Sequence, residues 1–315
     1  MIFIIGLIGN YIKPMFTEDF LQVSNLHKIY YATAGNKSGI PLLKIHGGPG
    51  SCCKTDFFNE IDLNKFFVII YDQRGCGKSL PAGELKENNT QELIEDINKL
   101  LQYLQVEKVV INGASWGACL ALLFAEKYPE KVIKLFLNSV FLANKDNNVW
   151  FYEYSKNIFP DVYEKYMSFI SNDIENKSKY MFEQIMSNNI KLQQKIAYNL
   201  TNYELNLMSG NFNMKEFVKL EDVDENVVNS AKIFLYYESN SYFIEDEYIL
   251  KYADNLKNIP MVVYHGRLDM DCPLSNVYKL KELLPKIRFN VIPYENHCGP
   301  LQKQLVYDDI NNLIL

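Results

Sequence analysis

The sequence predicts an α/β protein: a mostly parallel sheet with helices on both faces, interrupted by a helical cap. Short apolar runs alternate with helix-like segments up to about residue 140. The alternation stops near residue 141 and resumes after about residue 245. Alternating strands and helices are typical of a parallel sheet covered by helices. We therefore expect a core formed by residues 1–140 and 246–315, and a cap formed by residues 141–245.

The elements of the first part follow one another in a regular order. The runs 42–45 and 66–71 are short and apolar and end at glycine-rich or charged loops, as expected for buried strands. Residues 90–104 carry apolar side chains at helical spacing. We then expect a strand at 109–111, a helix at 118–125 and a strand at 132–137.

The cap segment differs in composition from the segments on either side. It is rich in Asn, Lys, Tyr and Met and contains helix-like stretches without a strand–helix rhythm. The rhythm returns with strands expected at 261–264 and 288–292 and a helix between them. We interpret this segment as a helical insertion into one α/β core.

The N-terminus is apolar over residues 1–8, which raises the question of a membrane or export signal. A membrane-spanning helix needs about twenty apolar residues. A signal peptide begins with basic residues, whereas the first cation here is Lys13. We therefore expect a buried first strand or a loose leader, no membrane partner and a cytoplasmic protein.

Composition excludes some classes of function. The chain has 315 residues, 48% of them hydrophobic, and a formal net charge of −6. This balance argues against nucleic acid, which requires a basic surface to neutralise phosphates. The six cysteines form no C-x-x-C pair or zinc-type spacing, so we expect reduced thiols and no metal.

The strongest chemical signal is Ser115, which lies in the pattern G-x-S-x-G between a predicted strand and a predicted helix. In that setting the turn holds the serine on a strained corner at the top of a parallel sheet, with its hydroxyl exposed. Gly113 and Gly117 are needed because the strand and helix backbones approach closely there. Ser115 is therefore the predicted nucleophile.

A serine nucleophile requires a histidine base and an acid that orients it. In this type of fold the chain order is serine, acid, histidine. The acid expected at the end of the 261–264 strand is Asp269, with Asp271 as a rival. His265 precedes both acids, so His297 is the histidine that satisfies the order. The chain's histidines are His27, His46, His265 and His297.

An oxyanion hole requires backbone N–H groups directed at the developing negative charge. One donor is expected at Trp116, the residue after the nucleophile. The other is expected in the glycine-rich loop 46–50, at Gly48. His46 is interpreted as a residue that orients this loop.

Taken together, these motifs resemble the proline iminopeptidases, serine exopeptidases of the α/β-hydrolase fold. The resemblance extends over nearly the whole chain from about residue 16. It includes an HGGPG loop, a DQRG-x-G-x-S loop, the serine turn, two aromatic segments early in the cap, and the segment that carries Asp269. These lie at 46–50, 72–79, 113–117, 150–152, 158–161 and 265–273.

The resemblance also implies two cap glutamates that hold the substrate's free amino terminus. The first is Glu204, which in the family follows a W-x-x-W pattern. Here Ala197, Leu200, Tyr203 and Glu204 occupy that stretch, so both tryptophans are replaced while the glutamate remains. The second is Glu238, which precedes Tyr242 by one residue more than the family's E-x-x-Y-F pattern. Carboxylates suit this role because a charge-assisted hydrogen bond distinguishes a protonated amine from an internal amide.

The predicted function is therefore a serine aminopeptidase that releases N-terminal proline from small peptides through an acyl-enzyme. No metal or organic cofactor is implied. One alternative is an esterase or amidase of the same fold with broader substrates. Another is a hydrolase-fold receptor that binds a small ligand with little turnover.

Overall fold

One sheet of eight strands organises the computed structural model, which describes residues 14–210 and 213–314. The apolar segment 1–8, for which the sequence predicts a strand or a leader, lies outside the described residues. The strands are β1 (Phe16–Gln22), β2 (Lys28–Gly35), β3 (Ile40–Ile45), β4 (Phe66–Tyr71), β5 (Val109–Ser115), β6 (Val132–Val140), β7 (Met261–Gly266) and β8 (Arg288–Ile292).

The sheet is parallel from β4 to β8 and antiparallel at one edge. The strand order is β1-β2-β4-β3-β5-β6-β7-β8, and only the β1–β2 and β2–β4 pairs are antiparallel among the described residues. In the centre, Leu42 of β3 pairs with Val68 of β4 and Val110 of β5. The prediction of a mostly parallel sheet is confirmed, and the antiparallel β1–β2 pair is an addition to it.

Helices cover both faces of the sheet. The apolar faces of α2, α3 and α10 pack on one side, and α1 and α11 pack on the other. Helix α3 is apolar nearly all round, as expected for a helix buried against a parallel sheet. The helices are α1 (Phe57–Glu60), α2 (Thr90–Tyr103), α3 (Trp116–Lys127), α4 (Lys145–Val149), α5 (Pro160–Met167), α6 (Lys177–Ile185), α7 (Ile190–Ser209), α8 (Glu225–Ser239), α9 (Tyr248–Lys251), α10 (Leu274–Leu283) and α11 (Pro300–Asn311).

The segment between β6 and β7 is helical in its described residues and has a hydrophobic core of its own. That core runs from Phe151 to Leu235 and draws on α5, α6, α7 and α8. At Gly50, where φ is +97°, an added Cβ would lie 2.5 Å from the backbone oxygen of Ser230 on α8. The helical segment therefore rests directly on the 46–50 loop, while the domain boundaries at 141 and 245 stay predictions.

Among residues 14–210 and 213–314, no helix combines the length and the apolar character needed to cross a bilayer.

Candidate active site

Ser115 lies at the junction of β5 and α3 in a strained conformation. Its φ is 56° and its ψ is −127°, an unusual combination for a residue with a side chain. An added Cβ at Gly113 would lie 2.4 Å from the carbonyl oxygen of Gly117, and one at Gly117 would lie 2.3 Å from that of Ile45. Only glycine fits at either position. The structure thus places Ser115 on the sharp turn that the sequence predicts.

His297 and Asp269 lie together in the loops that follow β8 and β7. The Nδ1 atom of His297 lies 3.0 Å from both carboxylate oxygens of Asp269, and both side chains are buried. The Nε2 atom of His297 is buried and has no hydrogen-bond partner among the described residues. Asp269 therefore fixes the tautomer with the proton on Nδ1, which leaves Nε2 as a proton acceptor.

Electrostatics reinforce this pairing. Burial alone would lower the pKa of His297, but the Asp269 carboxylate outweighs it and raises that pKa well above its ordinary value. Burial opposes ionisation of Asp269, yet the positive charge of His297 holds the pKa of Asp269 below its ordinary value. The pair is therefore arranged to stabilise an imidazolium, which is the charge a base acquires when it deprotonates a serine.

Asp271, the rival acid, occupies a different position. One of its carboxylate oxygens lies 3.8 Å from Nδ1 of His297, beyond hydrogen-bonding distance. Asp271 instead lines a cavity together with Ser115 and Glu204, which we call the inner cavity. Burial raises the pKa of Asp271 to about 6. The sequence did not predict that Asp271 lines this cavity, because the only signal at Asp271 was its position two residues after Asp269.

His265 is held by the backbone on both sides of its ring. The backbone N–H of Val140 donates to Nδ1 at 3.2 Å, and Nε2 donates to the carbonyl oxygen of Cys272 at 2.7 Å. The ring is fully buried, and burial lowers its pKa. The backbone therefore occupies both ring nitrogens of His265, and burial favours its neutral form.

The 46–50 loop lies directly against Ser115. A Cβ added to Gly47 would lie 3.3 Å from Cβ of Ser115, and Gly48 lines the cavity that Ser115 faces. Trp116 is the first residue of α3, so its N–H belongs to the first turn, whose donors have no intrahelical partner. Gly48 and Trp116, the two predicted oxyanion donors, therefore both lie close to Ser115.

Gln73 connects this loop to helix α3. Its backbone N–H donates to Nε2 of His46 at 3.0 Å, and its side-chain amide donates to the carbonyl oxygen of His46 at 2.9 Å. Its side-chain oxygen accepts from Nε1 of Trp116 at 2.9 Å. Nδ1 of His46 donates to the carbonyl oxygen of Gly47 at 2.8 Å. His46 thus orients the loop as interpreted, and Gln73 is the bridging residue that sequence reasoning missed.

The two cap glutamates lie on different helices and meet in one cavity. Glu204 of α7 and Glu238 of α8 both line the cavity that contains Ser115. Glu238 is only 4% exposed and accepts a hydrogen bond from the hydroxyl of Tyr152. Burial raises the pKa of each glutamate to about 8, and the negative charge of Asp271 adds to the shift.

The extra residue between Glu238 and Tyr242 falls where the chain leaves α8. Ser241, Tyr242 and Phe243 all have positive φ, between 50° and 56°. This left-handed turn still buries Tyr242, whose ring centroid lies 5.7 Å from that of Trp116. The shifted spacing therefore leaves Glu238 facing the same cavity as Glu204.

The inner cavity is acidic and has aromatic walls. Three carboxylates, those of Glu204, Glu238 and Asp271, line it, and none of its described lining residues is a lysine or an arginine. Carboxylates in a partly dehydrated cavity favour a cationic ligand, since the charges attract more strongly there than in water. The aromatic lining residues are Phe141, Phe151, Phe234 and Tyr242.

A metal is a further possibility for the buried acid and histidine. Potential ligand atoms of Asp269, Cys272 and His297 lie within 4.8 Å of one another. Asp269 and His297 already bind each other, and burial raises the pKa of the Cys272 thiol well above its ordinary value. Since a thiolate is the form that binds metal, this group is poorly suited to hold an ion.

Comparisons with known proteins agree with this geometry. The sequence pattern of the alpha/beta hydrolase fold family matches residues 40–304. A proline iminopeptidase of Xylella fastidiosa (strain 9a5c) is 31% identical over 286 residues, which cover 90% of this chain and 91% of that protein. The chain belongs to the proline iminopeptidase family of the α/β-hydrolase fold. This confirms the resemblance, the fold class and the assignment to the serine aminopeptidase type of enzyme.

Further members and solved structures show how far the likeness extends. A proline iminopeptidase of Arabidopsis thaliana is 30% identical to this family member, covering 91% of this chain and 76% of its own. The crystal structure of a proline iminopeptidase-related protein from Thermus thermophilus superposes with a TM-score of 0.59. It is 16% identical and covers 94% of this chain and 97% of its own, so it shows the shared fold alone.

Proposed function

We propose that this family member is a serine exopeptidase that releases N-terminal proline from peptides. The observation that carries the proposal is a cleft that shares Ser115 and Glu204 with the acidic inner cavity. Ser115 and His297 line the cleft together, and Glu204 and Glu238 line the inner cavity. The cleft has a volume of about 470 Å³, within the usual range for small-molecule sites.

The first half of the proposed reaction is acylation. The Ser115 hydroxyl attacks the carbonyl carbon of the substrate's first residue as Nε2 of His297 takes its proton. Asp269 stabilises the imidazolium that forms. The backbone N–H groups of Gly48 and Trp116 donate to the oxyanion of the tetrahedral intermediate. His297 then returns the proton to the leaving amine, which leaves the prolyl group esterified to Ser115.

Deacylation uses the same groups. Water replaces the departed peptide, His297 takes one of its protons, and the resulting hydroxide attacks the ester carbonyl. Collapse of the second tetrahedral intermediate releases proline, and the proton on His297 returns to Ser115. No additional side chain is required.

Exopeptidase specificity is proposed to come from the acidic inner cavity. Glu204 and Glu238 face the position that the substrate's ammonium would occupy when its carbonyl carbon is beside Ser115. An acylated terminus carries no charge and cannot form the charge-assisted hydrogen bonds that a free one forms. The phenyl rings of Phe151 and Phe234 offer apolar walls for the pyrrolidine ring.

The test compares four substrates with the purified protein: proline arylamide, alanine arylamide, N-acetylproline arylamide and a short acyl ester. We expect the highest kcat/KM for proline arylamide and no measurable turnover of the N-acetylated form. Mass spectrometry of protein quenched during turnover should show a prolyl ester on Ser115. Equal turnover of blocked and free proline arylamides, or activity that survives in Ser115→Ala, would contradict the proposal.

A further inference from the structure

The cleft continues beyond Ser115, away from the acidic cavity, into a second pocket with basic side chains. This outer pocket has a volume of about 350 Å³, and Lys44, Lys54 and Lys303 line it. Asp56 and Glu60 also line it, so the lysines exceed the acids by one. The proposed reaction uses none of these five side chains.

The order of the three spaces follows from the residues they share. The inner cavity and the cleft share Ser115 and Glu204. The cleft and the outer pocket share Lys54 and Lys303, together with Gly47 and Ala114 beside the nucleophile. The inner cavity and the outer pocket have no described lining residue in common. Acidic side chains without a lysine or arginine therefore line the described space on one side of Ser115, and an excess of lysines lines the space on the other.

The lysine charges have no carboxylate partner in the described structure. Nζ of Lys44 donates to Oδ1 of Asn112 at 2.6 Å and lies 5.3 Å from the centroid of the Phe57 ring. Burial lowers the pKa of Lys44 to about 8. Lys54 and Lys303 are exposed, and none of the three forms an ion pair among the described residues. Since the three lysines exceed the two carboxylates of Asp56 and Glu60 by one, the outer pocket favours an anionic ligand.

We propose that Lys54 and Lys303 bind the C-terminal carboxylate of short peptide substrates on the leaving-group side of the scissile bond. Lys44 adds positive potential from deeper in the outer pocket. The substrate class is therefore small zwitterionic peptides, whose ammonium and carboxylate match the two ends of the cleft. Each added residue moves the carboxylate outward by up to about 3.5 Å, so the match is lost as peptides lengthen. This proposal rests on the proposed exopeptidase function.

The experiment measures kcat/KM for proline-initiated di-, tri- and pentapeptides, each as the free acid and as the C-terminal amide. The wild type should prefer the free acid by about threefold to tenfold for the short peptides, as expected for a partly exposed charged contact. The preference should disappear at the pentapeptide. In Lys54→Gln and in Lys303→Gln the ratio of free-acid to amide kcat/KM should fall toward one, and it should fall furthest in the double variant.

Lys37→Gln is the matched control, because Lys37 is an exposed lysine that lines neither the cleft nor the outer pocket. Its free-acid to amide ratio should equal that of the wild type. If the wild type cleaves proline arylamide and amidated peptides but its ratio of free-acid to amide kcat/KM is near one, this proposal is overturned and the proposed function stands. Absence of cleavage for every proline substrate would overturn both.

Discussion

Replacing Glu204 with glutamine tests amine recognition while the side-chain shape is kept. The carboxylate lies in the inner cavity with Ser115, where burial raises its pKa to about 8. A hydrogen bond to a charged group contributes about 1.5–3 kcal/mol net. Since 1.4 kcal/mol corresponds to a factor of ten, kcat/KM for a free-amine substrate should fall by roughly 10-fold to 150-fold.

The assay compares proline arylamide with an uncharged acyl ester in the same preparations. Hydrolysis of the ester should change little in Glu204→Gln, because that substrate presents no ammonium. Glu238→Gln should show the same selective loss, since a glutamine carbonyl still accepts the hydrogen bond from Tyr152. Glu183→Gln is the matched control, because Glu183 is an exposed glutamate on the cap helix α6. It should behave as the wild type on both substrates.

The refuting result is specific. If Glu204→Gln and Glu238→Gln lose activity equally on the arylamide and on the ester, these glutamates support the cap's structure and do not bind the amine. A lower melting temperature in both variants would accompany that outcome. If instead kcat/KM falls only for the arylamide and the melting temperature is unchanged, a structural role in the cap cannot explain the loss.

Three further predictions concern the acids and the cap. Asp269→Asn should lower kcat about 10⁴-fold. Asp271→Asn should lower kcat for the ester far less, because only Asp269 lies within 3.0 Å of His297. Steady-state kinetics of both variants checks this. The ratio of arylamide to ester kcat/KM should fall as pH decreases below 8, because Glu204, whose pKa burial raises to about 8, takes up a proton there. The fall should level off at the roughly 10-fold to 150-fold loss expected for Glu204→Gln. pH profiles on both substrates test the sign. Gly50→Ala should lower the free energy of unfolding by about 2 kcal/mol, measured by denaturant titration, because the positive φ and the contact with Ser230 exclude a Cβ.

The parts of the fold that the sequence predicted are those in which burial produces a pattern along the chain. All six side chains of β4 are buried, so the strand reads as an unbroken apolar run. β1 is the opposite case, because most of its side chains are exposed and no run marks it. It pairs with β2 at the edge of the described sheet, where it has a neighbouring strand on one side only. Hydrophobic periodicity cannot find such a strand.

Some residues of the site could be predicted from local sequence patterns, and others depend on contacts between residues that are far apart in the sequence. Ser115 and Asp269 could be predicted as catalytic residues because each lies at the end of a recognisable strand, and His297 was predicted from chain order. Gln73 could not be given its role, since it joins His46 and Trp116 across a fold that local patterns do not encode. The positions of Lys44, Lys54 and Lys303 around one pocket likewise emerge only when β3, the loop after it and α11 are brought together.

The predicted catalytic side chains and the predicted amine-binding glutamates lie on different parts of the fold. Ser115 and the Asp269–His297 pair lie on the sheet and on the loops that follow its strands. Glu204 and Glu238 lie on cap helices, which reach the oxyanion loop where Gly50 meets Ser230. Under the proposed function, we therefore expect that a change in the cap can alter which amine is bound without moving Ser115. The contact at Gly50 is the exception, because a shift there displaces the cap and the oxyanion loop together.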